Sequence, residues 1–160
     1  MAELHSTLPV RSSSAWNAEQ VTAYLQAAPQ HPLRLAIVAK ETPLIVPLWY
    51  RFAEGSFWCA SPSSAKVVQV LQDNPRCAFD VSVNDMPYRG VRGQGFAEVL
   101  HNEGETTLQV LIERYLGDTD SELARWLLSR ADQEVAIAVR PTWISAWDYS
   151  ARMAGASATV

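Results

Sequence analysis

The chain has 160 residues, 48% of them hydrophobic and 19% charged, with a formal net charge of -4. Such a composition makes one globular domain with a core large enough to fold unaided, and the acidic balance argues against a nucleic-acid partner held by phosphate neutralisation. Cys59 and Cys77 are too few for a disulfide framework or a structural zinc site, and no signal pattern or bilayer-length apolar run is present, so a cytoplasmic protein is expected.

Residues 1–15 are polar and serine-rich without periodicity, and are expected to form a mobile arm. Asn17, with Gln20 three residues later, forms a capping-box pattern for a helix whose apolar face is Val21, Tyr24, Leu25 and Ala28. Trp16 is placed to staple onto Val21, and Pro29 and Pro32 close the segment. Leu33 to Lys40 reads as a strand, turned at Glu41-Thr42-Pro43.

The stretch from Thr42 to Pro75 organises the rest. Leu44 to Phe52 and Ser56 to Ala60 are β-favouring runs joined by a tight turn at Glu54-Gly55. Ser63 and Ser64 are expected to cap a helix that carries Lys66 in its first turn and Val67, Val70 and Leu71 on its apolar face. Asn74-Pro75 stops it. Free N–H groups, the helix dipole, Ser64 and Lys66 together suit an anion such as phosphate. An ordinary hairpin running into a packed helix is the plainer alternative.

Arg76 to Val83 alternates as a half-buried strand does. Tyr88 to Leu100 is a long strand carrying Gly90, Gly93 and Gly95. Because those glycines lie inside a strand and not at a strand-to-helix turn, they are no dinucleotide fingerprint; they mark bending or a close approach. Arg89 and Arg92, three apart, face opposite sides of a regular strand. Two helices follow, one with Asn102 and Glu105 as capping pair and Gly117 as its end, the other with Thr119 and Glu122. Val135 to Arg140 is the last clear strand, and Pro141 to Asp148 continues it as an edge segment before a flexible tail. The count is six strands with helices inserted singly, which predicts a mainly β (α+β) protein, a six-stranded antiparallel barrel with peripheral helices. His5, His31 and His101 have no metal-ligand spacing, and no metal site is expected.

This order of elements resembles the FMN-binding split barrel of the pyridoxamine 5'-phosphate oxidase-like superfamily. The residues that carry the likeness are Pro47 to Tyr50, Gly55 and its strand, Ser64-Ala65-Lys66, Asn74-Pro75 and Arg89-Gly90-Val91-Arg92 with Gly95. The resemblance covers roughly Trp16 to Asp148 and implies a split-barrel flavin-binding domain over 16–150, with residues 151–160 as a flexible tail. It further implies a homodimer with FMN at the subunit interface. The backbone of Val46, Pro47, Leu48 and Trp49 would line the isoalloxazine, Cys59, Ala60 and Ser61 would face the ribityl chain, and Ser64 and Lys66 would hold the phosphate, helped by Arg89 or Arg92. Leu44 and Trp49 stand where the true oxidase has arginine and lysine. Ala65 replaces an arginine, Gly90 a glutamine, and no Arg-x-His follows Trp147. The resemblance therefore implies a flavin-dependent oxidoreductase acting on a small organic substrate by hydride transfer, not a pyridoxamine phosphate oxidase. A deazaflavin-dependent reductase in the same groove, or a flavin- or haem-binding protein without turnover, is the alternative. The lack of an obvious acid or base fits chemistry that the cofactor performs itself.

Overall fold

A computed structural model describes residues 8–27 and 31–156. Helix α1 (Ala18–Gln26) precedes strands β1 (Leu33–Ala39), β2 (Thr42–Leu48), β3 (Arg51–Ala53) and β4 (Ser56–Pro62). Then come α2 (Lys66–Asp73), β5 (Arg76–Ser82) and β6 (Arg89–Leu100). Helices α3 (Gly104–Leu116) and α4 (Glu122–Leu128), a 3-10 turn (Ala131–Gln133), β7 (Glu134–Asp148) and α5 (Ser150–Ala156) complete the chain. The strands form one antiparallel sheet in the order β2-β1-β5-β6-β7-β4-β3. No described helix is long and apolar enough to cross a membrane.

The sheet has seven strands, not the six expected, and it is not closed. The expected strand from Leu44 to Phe52 divides at Trp49-Tyr50. There the Tyr50 amide donates to the Tyr115 hydroxyl at 3.2 Å instead of to a ladder, and Trp49 stacks on the Tyr115 ring at 4.9 Å. The chain thus leaves one edge of the sheet as β2 and enters the other edge as β3. A curled antiparallel sheet whose two edges are joined by consecutive residues is a split barrel.

Local chemistry explains most elements. Asn17 and Gln20 exchange side-chain and backbone hydrogen bonds at 2.9 and 3.0 Å, the capping box the sequence promised. Glu54 and Gly55 both have positive φ (53° and 71°), the conformation a two-residue hairpin turn demands. The turn between β1 and β2 is Lys40-Glu41, one residue earlier than expected, with Lys40 at φ 59°. Within β6 the glycines answer to close approach. A Cβ at Gly93 would run into the Trp143 carbonyl and the Phe79 ring, and one at Gly95 into the Arg140 carbonyl, beside the register shift between β6 and β7.

Alternate residues of β1, β4, β5, β6 and β7 fill the barrel interior, where Leu35, Ile37, Phe57, Phe79 and Ile137 are buried. A second, smaller core of Leu108, Ile112, Ala124 and Ala131 lies outside the sheet, where α3 covers β4 and β7 and α4 packs on α3. Arg114 of α3 reaches back to α1, donating to the carbonyls of Leu25, Gln26 and Ala27 at 3.3, 3.4 and 2.7 Å. Helix α1 has no basic residue in its own last turn, so this guanidinium satisfies its terminal carbonyls from another element. Arg114→Ala should cost about 1.5–3 kcal/mol and deprotect the α1 amides first, read by hydrogen exchange.

The termini depart from expectation. Residues 8–15 are not a free arm: the Arg11 and Ala15 amides donate to the Ile144 and Ala146 carbonyls, and the Ile144 amide to the Pro9 carbonyl. The second half of β7 extends past the end of β4 and would otherwise present an unpaired edge, which this segment covers. Trp16 then bonds Asp148 through its indole N–H at 3.3 Å. The start of the expected tail is helix α5, begun where the Ser150 amide donates to the Asp148 carboxylate at 2.9 Å. Residues 1–7 and 157–160 lie outside the described residues.

Candidate functional site

A cavity of about 310 Å³ opens between the end of β2, the outer face of β4 and helices α3 and α4. Pro47, Leu48 and Trp49 form one wall, and Ala60 and Pro62 the floor. Leu108 and Leu111 of α3, with Leu123, Trp126 and Leu127 of α4, form the opposite wall. Leu123 and Trp126 of α4 are 46% and 53% exposed beside it. Two ionisable side chains, Arg130 and Glu134, sit at either end of the 3-10 turn and complete the lining.

Four expected site residues meet here: Pro47, Leu48, Trp49 and Ala60. Val46, just before them on β2, is half-buried and packs against the barrel core. The strand period separates the rest of the β4 triplet. Only Ala60 faces the recess, while Cys59 and Ser61 point into the barrel interior. Burial drives the Cys59 thiol pKa strongly upward, with the Cys77 thiol adding to it, so Cys59 is an inert core residue in its own right.

From Pro62 the chain leaves the recess and enters α2. Ser63 and Ser64 do not cap that helix. Its N-cap is Ala65, with no side-chain bond; the Ser63 amide donates to the Gln133 carbonyl, and the Ser64 carbonyl accepts from the Gln69 side chain at 3.2 Å. The serines fall one residue too early. The consequence is that α2 begins with exposed Lys66 at its first position and with first-turn amides that no side chain occupies.

Arg89 and Arg92 are carried elsewhere, on opposite faces as the spacing required. Arg89 pairs in register with Asp148, close enough to α1 for its charge to be felt at Tyr24. Arg92 lines a hollow on the outer face of the sheet with Arg34, Asp80 and Trp143. Asp80 there is bound to Arg34 at 3.1 Å and accepts from Ser82 at 2.6 Å. On the outer face Ile45, in the lining of that hollow, is 66% exposed, and Val38 and Phe96, which flank Arg76 further along the sheet, are 36% and 49% exposed.

Sequence reasoning missed Arg130, Glu134 and the α4 wall. Burial raises the Glu134 pKa above its ordinary value of 4.5, and the charge of Arg130 offsets this only in part. The folded acid therefore holds its proton to higher pH than the unfolded chain does, so stability falls as pH rises through the window above 4.5. Glu134→Gln removes that loss. Its melting temperature should gain on the parent's as pH rises above 4.5 and level off once the folded acid has ionised, read by thermal melts.

The strand order, the seam at Trp49-Tyr50 and the outer helices define a split barrel. No family model matches the chain, and no curated protein matches it in sequence. Solved structures do match. A conserved hypothetical protein of Mycobacterium tuberculosis superposes with a TM-score of 0.70 at 18% identity, covering 87% of this chain and 89% of that one. An F420 reductase gives 0.65 at 23% identity over 77% and 94% of the two chains. An FAD-binding protein of Mesorhizobium loti gives 0.59 at 18% over 82% and 94%. The chain has the split-barrel fold found in the pyridoxamine 5'-phosphate oxidase-like superfamily.

Proposed function

We propose that the chain is a flavin-binding oxidoreductase that takes FMN and acts on a small organic substrate by hydride transfer. The observation that carries this is an edge strand beside an apolar recess. Because β2 pairs only with β1, its outer edge leaves backbone carbonyls for a ligand where Pro47 to Trp49 wall the recess, while Pro43 and Pro47 have no N–H to offer. Polar backbone along one edge and apolar side chains across a flat slot suit a heteroaromatic ring. The uncapped start of α2 with Lys66 suits the phosphate that such a ring carries. These residues fit the cofactor; Cys59 and Ser61 would contribute backbone alone.

When bound, the ring supplies the hydride-transferring centre, and the chain's part is to hold, orient and desolvate it. Trp49, stacked on Tyr115, is a rigid wall for that purpose. A homodimer accords with the exposed Val38, Ile45 and Phe96, since pairing through that outer face buries them. A deazaflavin in place of FMN is the second reading, favoured by the fold shared with an F420 reductase.

The test of turnover is oxidation of a reduced nicotinamide with an added electron acceptor, with and without FMN. Oxidation that depends on FMN supports the enzyme. Tight FMN binding without turnover makes the protein a carrier, and turnover with the deazaflavin alone reassigns the cofactor.

A further inference from the structure

The recess has a polar end that holding a flavin ring leaves unused. Its lining is apolar apart from Arg130 and Glu134, and among the described residues the ion pairs are Arg34–Asp80 and Arg140–Glu98. Neither Arg130 nor Glu134 has an ionic partner there. The Arg130 guanidinium carbon lies 4.7 Å from the centre of the Trp126 ring, a cation–π contact that holds the charge beside the slot. A guanidinium at the end of an apolar slot suits a carboxylate, which it can grip through two parallel hydrogen bonds.

We propose that the recess binds the substrate of this protein, an apolar one- or two-ring molecule bearing a carboxylate, and that Arg130 takes that carboxylate. The word substrate rests on the flavin reading above; the binding itself does not. Two features set the class. On the α4 side of the cavity, across from the Pro47–Trp49 wall given to the flavin ring, Leu123, Trp126 and Leu127 offer aromatic and aliphatic faces to such rings. The cofactor's own anion has a separate place at Lys66, at the start of α2. Glu134 tunes the site, because a second carboxylate beside Arg130 competes with the ligand's for the same cation.

The probe is naphthoate, with uncharged naphthamide as its isostere, titrated calorimetrically into the full chain with and without saturating FMN. Naphthoate should bind about tenfold or more tightly than the amide. Arg130→Met should abolish that preference while amide binding persists, and Glu134→Gln, which keeps the arginine, should strengthen naphthoate binding. Neither variant should change the affinity for FMN. Equal binding of acid and amide overturns the proposal, as does failure of both probes to bind the folded chain. If Arg130→Met weakens FMN and leaves naphthoate untouched, Arg130 serves the cofactor's phosphate and the proposal is likewise overturned. Failure of FMN and deazaflavin to bind, with the naphthoate preference intact, sinks the flavin reading alone.

Discussion

Phe57→Ala should destabilise the protein by about 3–5 kcal/mol, and lower its melting temperature by about 10 °C or more for a chain of this length. Phe57 is fully buried on β4, and its ring meets Tyr50, Phe52 and Phe79 at centroid distances of 5.4, 4.9 and 4.7 Å. Those partners lie on β3, on the residue preceding it, and on β5. The ring therefore ties one edge of the sheet to its middle across the barrel interior, and alanine leaves a cavity that backbone on both sides prevents from collapsing. Phe57→Leu, which keeps most of the volume, should cost under about 1.5 kcal/mol. Urea unfolding of both variants checks the pair. A loss below about 1 kcal/mol for the alanine variant would mean that the interior is not packed as described.

Lys66→Ala should raise the dissociation constant for FMN about tenfold and leave that for riboflavin unchanged. The lysine is exposed at the first position of α2 and makes no ion pair with a described residue, so its removal should move stability by less than about 0.5 kcal/mol. What it adds is a charge where the first-turn amides already converge. Its exposure limits the effect, because water screens a solvated ammonium. Fluorescence titration with both ligands separates a phosphate contact from a general loss of the site. Equal affinities of parent and variant for FMN would make Lys66 an ordinary solvated helix charge.

The parts of this molecule that were legible in its sequence are those decided locally. Asn17 with Gln20 and Glu54 with Gly55 each contain their own instruction, a reciprocal cap and a turn of positive φ. The division of the second strand was not legible, since Leu44 to Phe52 is an unbroken β-favouring run. What breaks it is Tyr115, more than sixty residues on, whose hydroxyl and ring claim Tyr50 and Trp49. Ser63 and Ser64 looked like caps by type, but the bond between Ser63 and Gln133 fixes them in the preceding turn. The orientation of the β4 triplet could have been read: with a period of two, Cys59 and Ser61 must share a face that Ala60 does not. The Arg130 end of the recess was beyond local reasoning. Nothing near Arg130 in the chain signals that α4 folds back over Ala60 and Trp49.

The most direct test of whether this split barrel holds a flavin-type ring, as proposed, is the visible absorption spectrum of the purified protein, with mass spectrometry of what heat releases. The expected result is a two-band flavin spectrum and FMN in the supernatant, or recovery of that spectrum when FMN is added. A colourless protein that ignores added FMN and added deazaflavin alike would contradict it.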